Sequence, residues 1–281
     1  MRLSLWEWMV KLTVKVLPEK LIRVIISLLP PDLLAKSIGS LRGLRTYSVS
    51  IFGVDLLLES GPRDDHYLDL EKNQMQEWET EVLRIWKNEV TNAENVVDIG
   101  AYLGVYSILA AKLGVAKVFA FEPNSHTYMQ LKQNLAINSV SSSVDILQVA
   151  VGSTDRRVSI ITPRDRPYSS AAQIDDSPTN RKLDSWTHAE KVRMVTLDSI
   201  LSHSIQNISA IKIDAEGYEK FVLEGAIQIL SQSAPSLIIE ILSRTQKDDI
   251  DNFLSRFGYP PGHPIEELNT PTNYIYKIAK P

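Results

Sequence analysis

The chain has 281 residues, no cysteine and a formal net charge of −4. Hydrophobic residues at 44% and charged residues at 23% are ordinary for a globular protein, and the length suffices for one sizeable core. The absence of cysteine excludes disulfides, thiolate metal sites and a cysteine nucleophile. No apolar run approaches the ~18 residues of a spanning helix. Glu7, Lys11 and Lys15 interrupt the N-terminal apolar stretch, so no signal peptide is expected and a cytoplasmic location fits.

The charge is unevenly spread. Residues 1–45 carry a net +5, which leaves −9 on the other residues. Residues 4–29 read as helix, split at Pro18 and ended by Pro30-Pro31. Trp6, Trp8 and Leu12 with Lys11 and Lys15 suit a helix lying on a membrane surface. A helix packed on the body, or one forming a homodimer, is the plainer reading. Tyr47–Phe52 and Val54–Glu59 are expected to form a β-hairpin turning at Gly53, followed by a loop over 61–65. The basic segment and hairpin (1–70) then precede a catalytic domain over 71–281.

Glu71–Trp86 carries the apolar stripe of a helix. From there β and α alternate. Strands are expected at Asn95–Ile99, Lys117–Phe121 and Val144–Val149, and helices at Val105–Leu113 and Ser125–Asn138. Arg156–Ile161 and Val192–Thr196 suit an antiparallel pair, with a long loop over 163–190 between them. Strands at Ala210–Ile213, Ser236–Ile241 and Tyr274–Ile278 alternate with helices at Glu219–Leu230 and Gln246–Phe257. Near-continuous apolar strands in this alternation predict an α/β fold whose parallel sheet is covered on both faces.

Three strand ends carry the chemistry. The first is Asp98-Ile99-Gly100-Ala101-Tyr102-Leu103-Gly104, an acid and two glycines between a strand and a helix. The glycines allow a tight turn and close approach of a ligand, whereas Asp98 would repel a pyrophosphate. The second is Phe121-Glu122-Pro123-Asn124, where an acid 22 residues after Gly100 is placed to take the hydroxyls of a ribose. A nucleoside with a cationic, non-phosphorylated tail satisfies both, and S-adenosylmethionine is such a molecule. The third is Asp214-Ala215-Glu216-Gly217-Tyr218-Glu219, three acids at a strand end. Clustered carboxylates can deprotonate a hydroxyl, position an amine or hold a divalent cation, and the spacing alone does not choose. Lys212 points either to solvent or towards Asp214, and Glu79 and Glu81 read as surface acids of which one could touch the cofactor. The histidines show no metal-ligand spacing, and no metal site is expected. His66 and His188 lie in loops that could reach a cleft and stand as alternative bases. Asn124 or Ser125 is a natural N-cap for the helix that follows.

The ordered set Val-Asp-Ile-Gly-Ala-x-x-Gly-x-Tyr-Ser (97–107), Phe-Glu-Pro-Asn (121–124), Ala-Val-Gly (150–152), Thr-Leu-Asp (196–198) and Ile-Lys-Ile-Asp-x-Glu-Gly-x-Glu (211–219) resembles the FkbM family of S-adenosylmethionine-dependent methyltransferases over roughly 75–242. The resemblance implies a doubly wound, mostly parallel seven-stranded sheet of the Rossmann-like class I methyltransferase type, here with an N-terminal helical and β-hairpin extension. It implies O-methylation of a hydroxyl on a sugar, glycan or natural-product-like acceptor. It places Asp98, Gly100, Ala101, Tyr102, Gly104, Glu122, Pro123, Asn124 and Ala150 at the cofactor, with Asp214 and Glu216 catalytic and Gly217 and Glu219 beside them. Two positions depart from the family pattern, Tyr102 for the common Asn and Ser125 for a frequent Pro. The acidic body without a basic, aromatic-laced stripe argues against a nucleic-acid acceptor. The competing reading is a non-catalytic methyltransferase fold that docks partners or membranes through its basic head.

Overall fold

The computed structural model describes residues 45–60, 79–164, 172–175, 187–204, 207–265 and 272–279. The helices expected over 4–29, the loop at 61–65, His66 and the first part of the helix expected from Glu71 lie outside the described residues. Among the described residues, no helix is long and apolar enough to cross a membrane.

The expected hairpin is present. β1 (Arg45–Ile51) pairs antiparallel with β2 (Val54–Ser60) in continuous register from Arg45↔Ser60 to Ile51↔Val54. Phe52 and Gly53 both turn with positive φ (51° and 81°), the backbone twist that a two-residue hairpin needs. Val49, Ile51, Leu56 and Leu58 are buried in the same core as α1 (Thr80–Val90). Trp86 anchors that core: it is fully buried, packs edge-on against Tyr106 at 5.9 Å, and donates its indole N–H to the Tyr106 carbonyl at 3.0 Å.

The central sheet has seven strands in the order β12-β13-β11-β10-β3-β4-β5. β3 (Asn95–Ile99) lies at its middle, buried along its whole length. β4 (Lys117–Phe121), β5 (Val144–Leu147), β10 (Ile208–Ile213) and β11 (Ser236–Ile241) run parallel to it. β13 (Thr272–Tyr276) is antiparallel to β11, and the short β12 (His263–Pro264) pairs with its outer edge. α2 (Val105–Lys112) and α3 (Ser125–Ile137) supply crossovers between parallel strands, α7 (Arg244–Ser255) leads from β11 to the antiparallel edge, and two apolar clusters fill the space around the sheet. This is the doubly wound, mostly parallel sheet of the class I methyltransferase type, with the strand order reversing between β3 and β10.

A second sheet, β6-β9-β7-β8, stands beside the C-terminal end of the first. β7 (Arg156–Pro163) and β9 (Thr187–Val195) form the expected antiparallel pair, and β6 (Ala150–Val151) joins β9 in parallel. The stretch expected as one loop over 163–190 is not all loop: β8 (Gln173–Asp175) and the start of β9 lie within it. Charged and polar residues on the solvent side of β9, as in Thr-His-Ala-Glu-Lys, concealed the strand. The helix expected over Glu219–Leu230 is two short ones, α5 (Glu219–Glu224) and α6 (Ile227–Gln232), broken at Gly225-Ala226. A further turn of helix, α4 (Leu197–Ile200), precedes β10 and is capped by the Thr196 side chain.

Two asparagines fix the hairpin to the body. Asn134 of α3 accepts from the Glu59 N–H (2.7 Å) and donates to the Glu59 carbonyl (3.2 Å) and the Leu103 carbonyl (2.8 Å). One turn on, Asn138 accepts from the Leu57 N–H (2.9 Å) and donates to its carbonyl (2.6 Å). The two amides thus satisfy the open edge of β2 as a neighbouring strand would.

Candidate functional site

The register of the central sheet sets the site. Ile99, Phe121, Ile213 and Ile239 are partners across four adjacent strands. The next residues in line are Gly100, Glu122, Asp214 and Glu240. Side chains alternate along a strand, so these four share one face at the C-terminal end of the sheet. One step back on the same face lie Asp98 and Lys212, also register partners. This is where open α/β sheets bind ligands.

A cleft opens there, walled by Asp98, Gly100, Ala101, Tyr102, Glu122, Pro123, Ala150, Asp214 and Glu216 among the residues expected from the sequence. It is also lined by Glu79, Leu103, Tyr106, Lys212 and Glu240, and the second sheet closes one side with Ala172 and Ile174. Glu79 therefore faces the cleft, while Glu81 is exposed and pairs with Arg84.

Two expected cofactor residues do not line this wall. Asn124 is buried and caps α3, its side chain accepting from the His126 N–H at 3.0 Å. Gly104 caps α2 with φ 89°, and an added Cβ would stand 2.5 Å from Leu131 Cδ1. Its lack of a side chain lets α2 close onto α3. Both residues shape the cleft from behind.

Glu122 is the most constrained acid. Its Oε1 accepts from the Asn124 N–H (2.9 Å) and the Thr127 hydroxyl (2.8 Å), and its Oε2 accepts from the Tyr102 N–H (2.9 Å). A carboxylate offers about four acceptor positions, so Oε2 keeps capacity to accept a further hydrogen bond. Burial pushes the carboxyl up to about 7 despite these donors. Tyr102 presents its N–H from a left-handed backbone, φ 51°. Asn tolerates that conformation better than Tyr does, which accounts physically for the Asn common at this family position.

Asp98 is buried and accepts from the Ser107 hydroxyl at 2.6 Å. Burial raises it to about 6. Asp214 stands higher in the cleft, with its side chain 32% exposed. Its N–H donates to the Ile99 carbonyl at 3.0 Å, which ties β10 to β3 at the cleft floor. Lys212 lies beneath, 1% exposed, its Nζ 3.6 Å from Asp214 Oδ2 and 5.3 Å from the centre of the Tyr106 ring. Burial works against its charge, but the Asp214, Glu79, Glu240 and Asp98 carboxyls outweigh that and hold the ammonium ionised. Lys212 therefore points inward to Asp214, one of its two sequence readings.

The acids after Asp214 separate into two roles. Glu219 is fully buried and accepts from the Ala215 and Gly217 N–H groups, each at 3.0 Å, and from the Gln246 amide. It shapes the turn and does not line the cleft. Glu216 does line it, on a left-handed backbone (φ 51°), with its carboxyl raised to about 7 by burial and by Asp214. Glu240, which sequence reasoning did not single out, also lines the cleft and is raised to about 9 by burial and by the neighbouring Asp214 charge. Among the described residues, no group of three or more His, Asp or Glu is arranged to hold a metal ion. His188 belongs to β9 and does not line the cleft.

The wall is thus a concentration of carboxyls around one buried cation. Such a surface repels phosphates and attracts a cationic ligand, and the glycine turn beside Glu122 leaves space for a nucleoside. The donor set fits S-adenosylmethionine.

Residues 98–261 match the model of the FkbM methyltransferase domain. The chain is 24% identical over 232 residues to the hexuronic acid methyltransferase AglP of Haloferax volcanii, covering 80% of this chain and 85% of that one. It is 25% identical over 168 residues to a methyltransferase of Sordaria araneosa, covering 52% and 65% respectively. A solved FkbM methyltransferase of Methylobacillus flagellatus superposes with a TM-score of 0.48 at 20% identity, over 66% of this chain and 43% of that chain. The chain thus spans less than half the length of that solved relative. With the domain match extending over more than half of its residues, the chain belongs to the FkbM family of methyltransferases.

Proposed function

We propose that the protein transfers a methyl group from S-adenosylmethionine to a hydroxyl oxygen of a sugar, glycan or similar polyhydroxylated acceptor. The observation that carries this is the set of carboxyls Glu122, Asp214 and Glu240, from β4, β10 and β11 on one face of the sheet, lining one cleft. The printed activity of the Haloferax relative, a hexuronic acid methyltransferase, supports a sugar-type acceptor.

When bound, the cofactor supplies a methyl group on a cationic sulfur, which keeps the electron pair of the carbon–sulfur bond after transfer. Glu122 would accept from a ribose hydroxyl, and the turn at Gly100–Tyr102 would lie along the nucleoside. Asp98 and Glu79 would face its cationic tail. Asp214 would accept the proton of the acceptor hydroxyl, with Glu216 beside it at the cleft mouth. Positioning of the two reactants in the cleft supplies most of the acceleration for such a displacement. The wall from Ala172 and Ile174 gives the acceptor side an apolar surface suited to the face of a sugar ring. The basic head over 4–29 would meet an anionic membrane surface, which cosedimentation with anionic vesicles would test.

The test of the reading is calorimetric titration with S-adenosylmethionine, followed by transfer from methyl-labelled cofactor into an oligosaccharide containing hexuronic acid. Binding with transfer of label supports it. Binding without transfer to any glycan, lipid or small-molecule pool of an extract refutes the methyl-transfer function.

A further inference from the structure

Among the described residues, Lys212 is the one cationic side chain on the cleft wall, set against the carboxyls of Glu79, Asp98, Glu122, Asp214, Glu216 and Glu240. It shares a face with Asp214, two residues on along β10. It lies one step deeper, level with its register partner Asp98 on β3. Its Nζ is 5.3 Å from the centre of the Tyr106 ring and 3.6 Å from Asp214 Oδ2. The second distance exceeds a hydrogen bond, and the buried Nζ has no hydrogen-bond partner among the described residues. A buried ammonium has three donors to satisfy. An apolar side chain between Ile211 and Ile213 would cost less than an ammonium with open donors. A ligand that brings an acceptor to the cleft floor accounts for the lysine.

The neighbouring donors are already engaged. In the glycine turn, the Gly100 and Ala101 N–H groups donate to the Phe121 carbonyl, Tyr102 N–H to Glu122, and Gly104 N–H to the Ala101 carbonyl. In the turn after β10, Asp214 N–H donates to the Ile99 carbonyl, and the Ala215 and Gly217 N–H groups to Glu219. The Tyr106 hydroxyl donates to Glu79. An anionic group arriving beneath the glycine turn therefore meets Lys212. S-adenosylmethionine brings such a group, the α-carboxylate, on the carbon that also carries its α-ammonium. A wall of carboxyls alone would suit a purely cationic tail. One ammonium set among carboxyls matches the paired charges of an α-amino acid.

We infer that the Lys212 ammonium binds the α-carboxylate of S-adenosylmethionine, so that this cleft selects a cofactor with an intact amino-acid tail. This rests on the methyl-transfer reading given above. The lysine ammonium stands on a flexible four-carbon stem with rotatable donors, so it turns from Asp214 to the carboxylate without movement of β10. The uronate of a sugar acceptor is a second source of carboxylate. The depth of Lys212, level with Asp98 and below the Gly100–Asp214 contact, favours the cofactor.

The test is calorimetric and needs no turnover. S-adenosylmethionine is compared with its decarboxylated analogue, which keeps the sulfonium and the amine, on wild type and on Lys212→Met. Wild type should bind S-adenosylmethionine about 30-fold or more tighter than the analogue. In Lys212→Met that preference should fall below about threefold, because the remaining acids favour the more cationic ligand. Lys212→Gln, with a shorter neutral side chain, supplies the same comparison if Lys212→Met does not fold. A wild type that binds both ligands equally overturns the inference, and so does a preference unchanged by the substitution. An unchanged preference with a lost affinity for the uronic-acid oligosaccharide assigns Lys212 to the acceptor's carboxylate, and overturns it too. A wild type that binds neither ligand refutes the functional reading itself, and the inference with it.

Discussion

A β-carbon built on Gly100 would stand 1.8 Å from the carbonyl oxygen of Asp214. The backbone of the turn after β10 therefore lies directly against the first motif glycine, and the two ligand-facing motifs are one packed unit. The backbone bonds from Asp214 to Ile99, and from Gly100 and Ala101 to Phe121, extend this contact across three strands.

Gly100→Ala should accordingly cost far more than a generic glycine substitution. Gly114 has a similar φ, 92° against 75°, but open space around it. Gly114→Ala should cost about 1 kcal/mol from backbone strain alone. Gly100→Ala adds a backbone clash and should cost at least about 3 kcal/mol, or prevent folding. Urea denaturation of both variants checks this, and equal losses would remove the close approach from the account.

The buried carboxyls predict an inverted pH dependence of stability. Glu122 is raised from 4.5 to about 7 and Asp98 from 3.8 to about 6 by burial. Between their unfolded and folded values the native state binds more protons than the unfolded chain, so stability falls as pH rises through that window. The melting temperature should be higher at pH 5.5 than at pH 8. A cationic ligand favours the ionised carboxyls, so S-adenosylmethionine binding should release protons and tighten from pH 6 to pH 8. Thermal unfolding across pH, and calorimetry in buffers of different ionisation enthalpy, read the two effects separately.

Glu219 and Glu216 should separate cleanly on mutation. Glu219→Ala removes the acceptor of two backbone N–H groups and of the Gln246 amide. It should destabilise by about 2–4 kcal/mol. Glu216→Gln lies at the cleft without such bonds in the turn and should change stability by less than about 1 kcal/mol. Chemical denaturation of the two variants compares them directly.

The clasp of Asn134 and Asn138 on β2 predicts a local effect. Replacing both by Ala leaves the N–H and carbonyl groups of Glu59 and Leu57 without their partners. A loss of about 2–4 kcal/mol is expected, with hydrogen exchange rising first at the Leu57 and Glu59 amides. Unchanged protection at these two amides would show that the hairpin is held by apolar packing alone.

The strands around the site were legible because β3, β4 and β10 are apolar runs that lead directly into glycine or an acid, and β11 is an apolar run of the same kind. Motif spacing brought Asp98, Glu122 and Asp214 together without a coordinate. Glu240 was not legible: it sits inside Ser-Leu-Ile-Ile-Glu-Ile, and only register across β10 and β11 places it beside Asp214. Lys212 stayed ambiguous for a related reason, since alternation alone cannot tell a buried face from a solvent face on a central strand. Asn124 and Gly104 stand next to cofactor residues in sequence but act through a helix cap and a helix crossing, which a motif cannot distinguish from ligand contact. The asparagine clasp joins residues 75 and 81 positions apart, beyond any local pattern.

The central claim is that this cleft binds S-adenosylmethionine and that the Asp214 carboxylate receives the acceptor proton. Asp214→Asn keeps the shape and removes the charge. Its cofactor affinity, measured by calorimetry, should stay within a few-fold of wild type, while label transfer to the uronic-acid oligosaccharide should fall by about 100-fold or more. Full transfer activity in this variant would contradict the account.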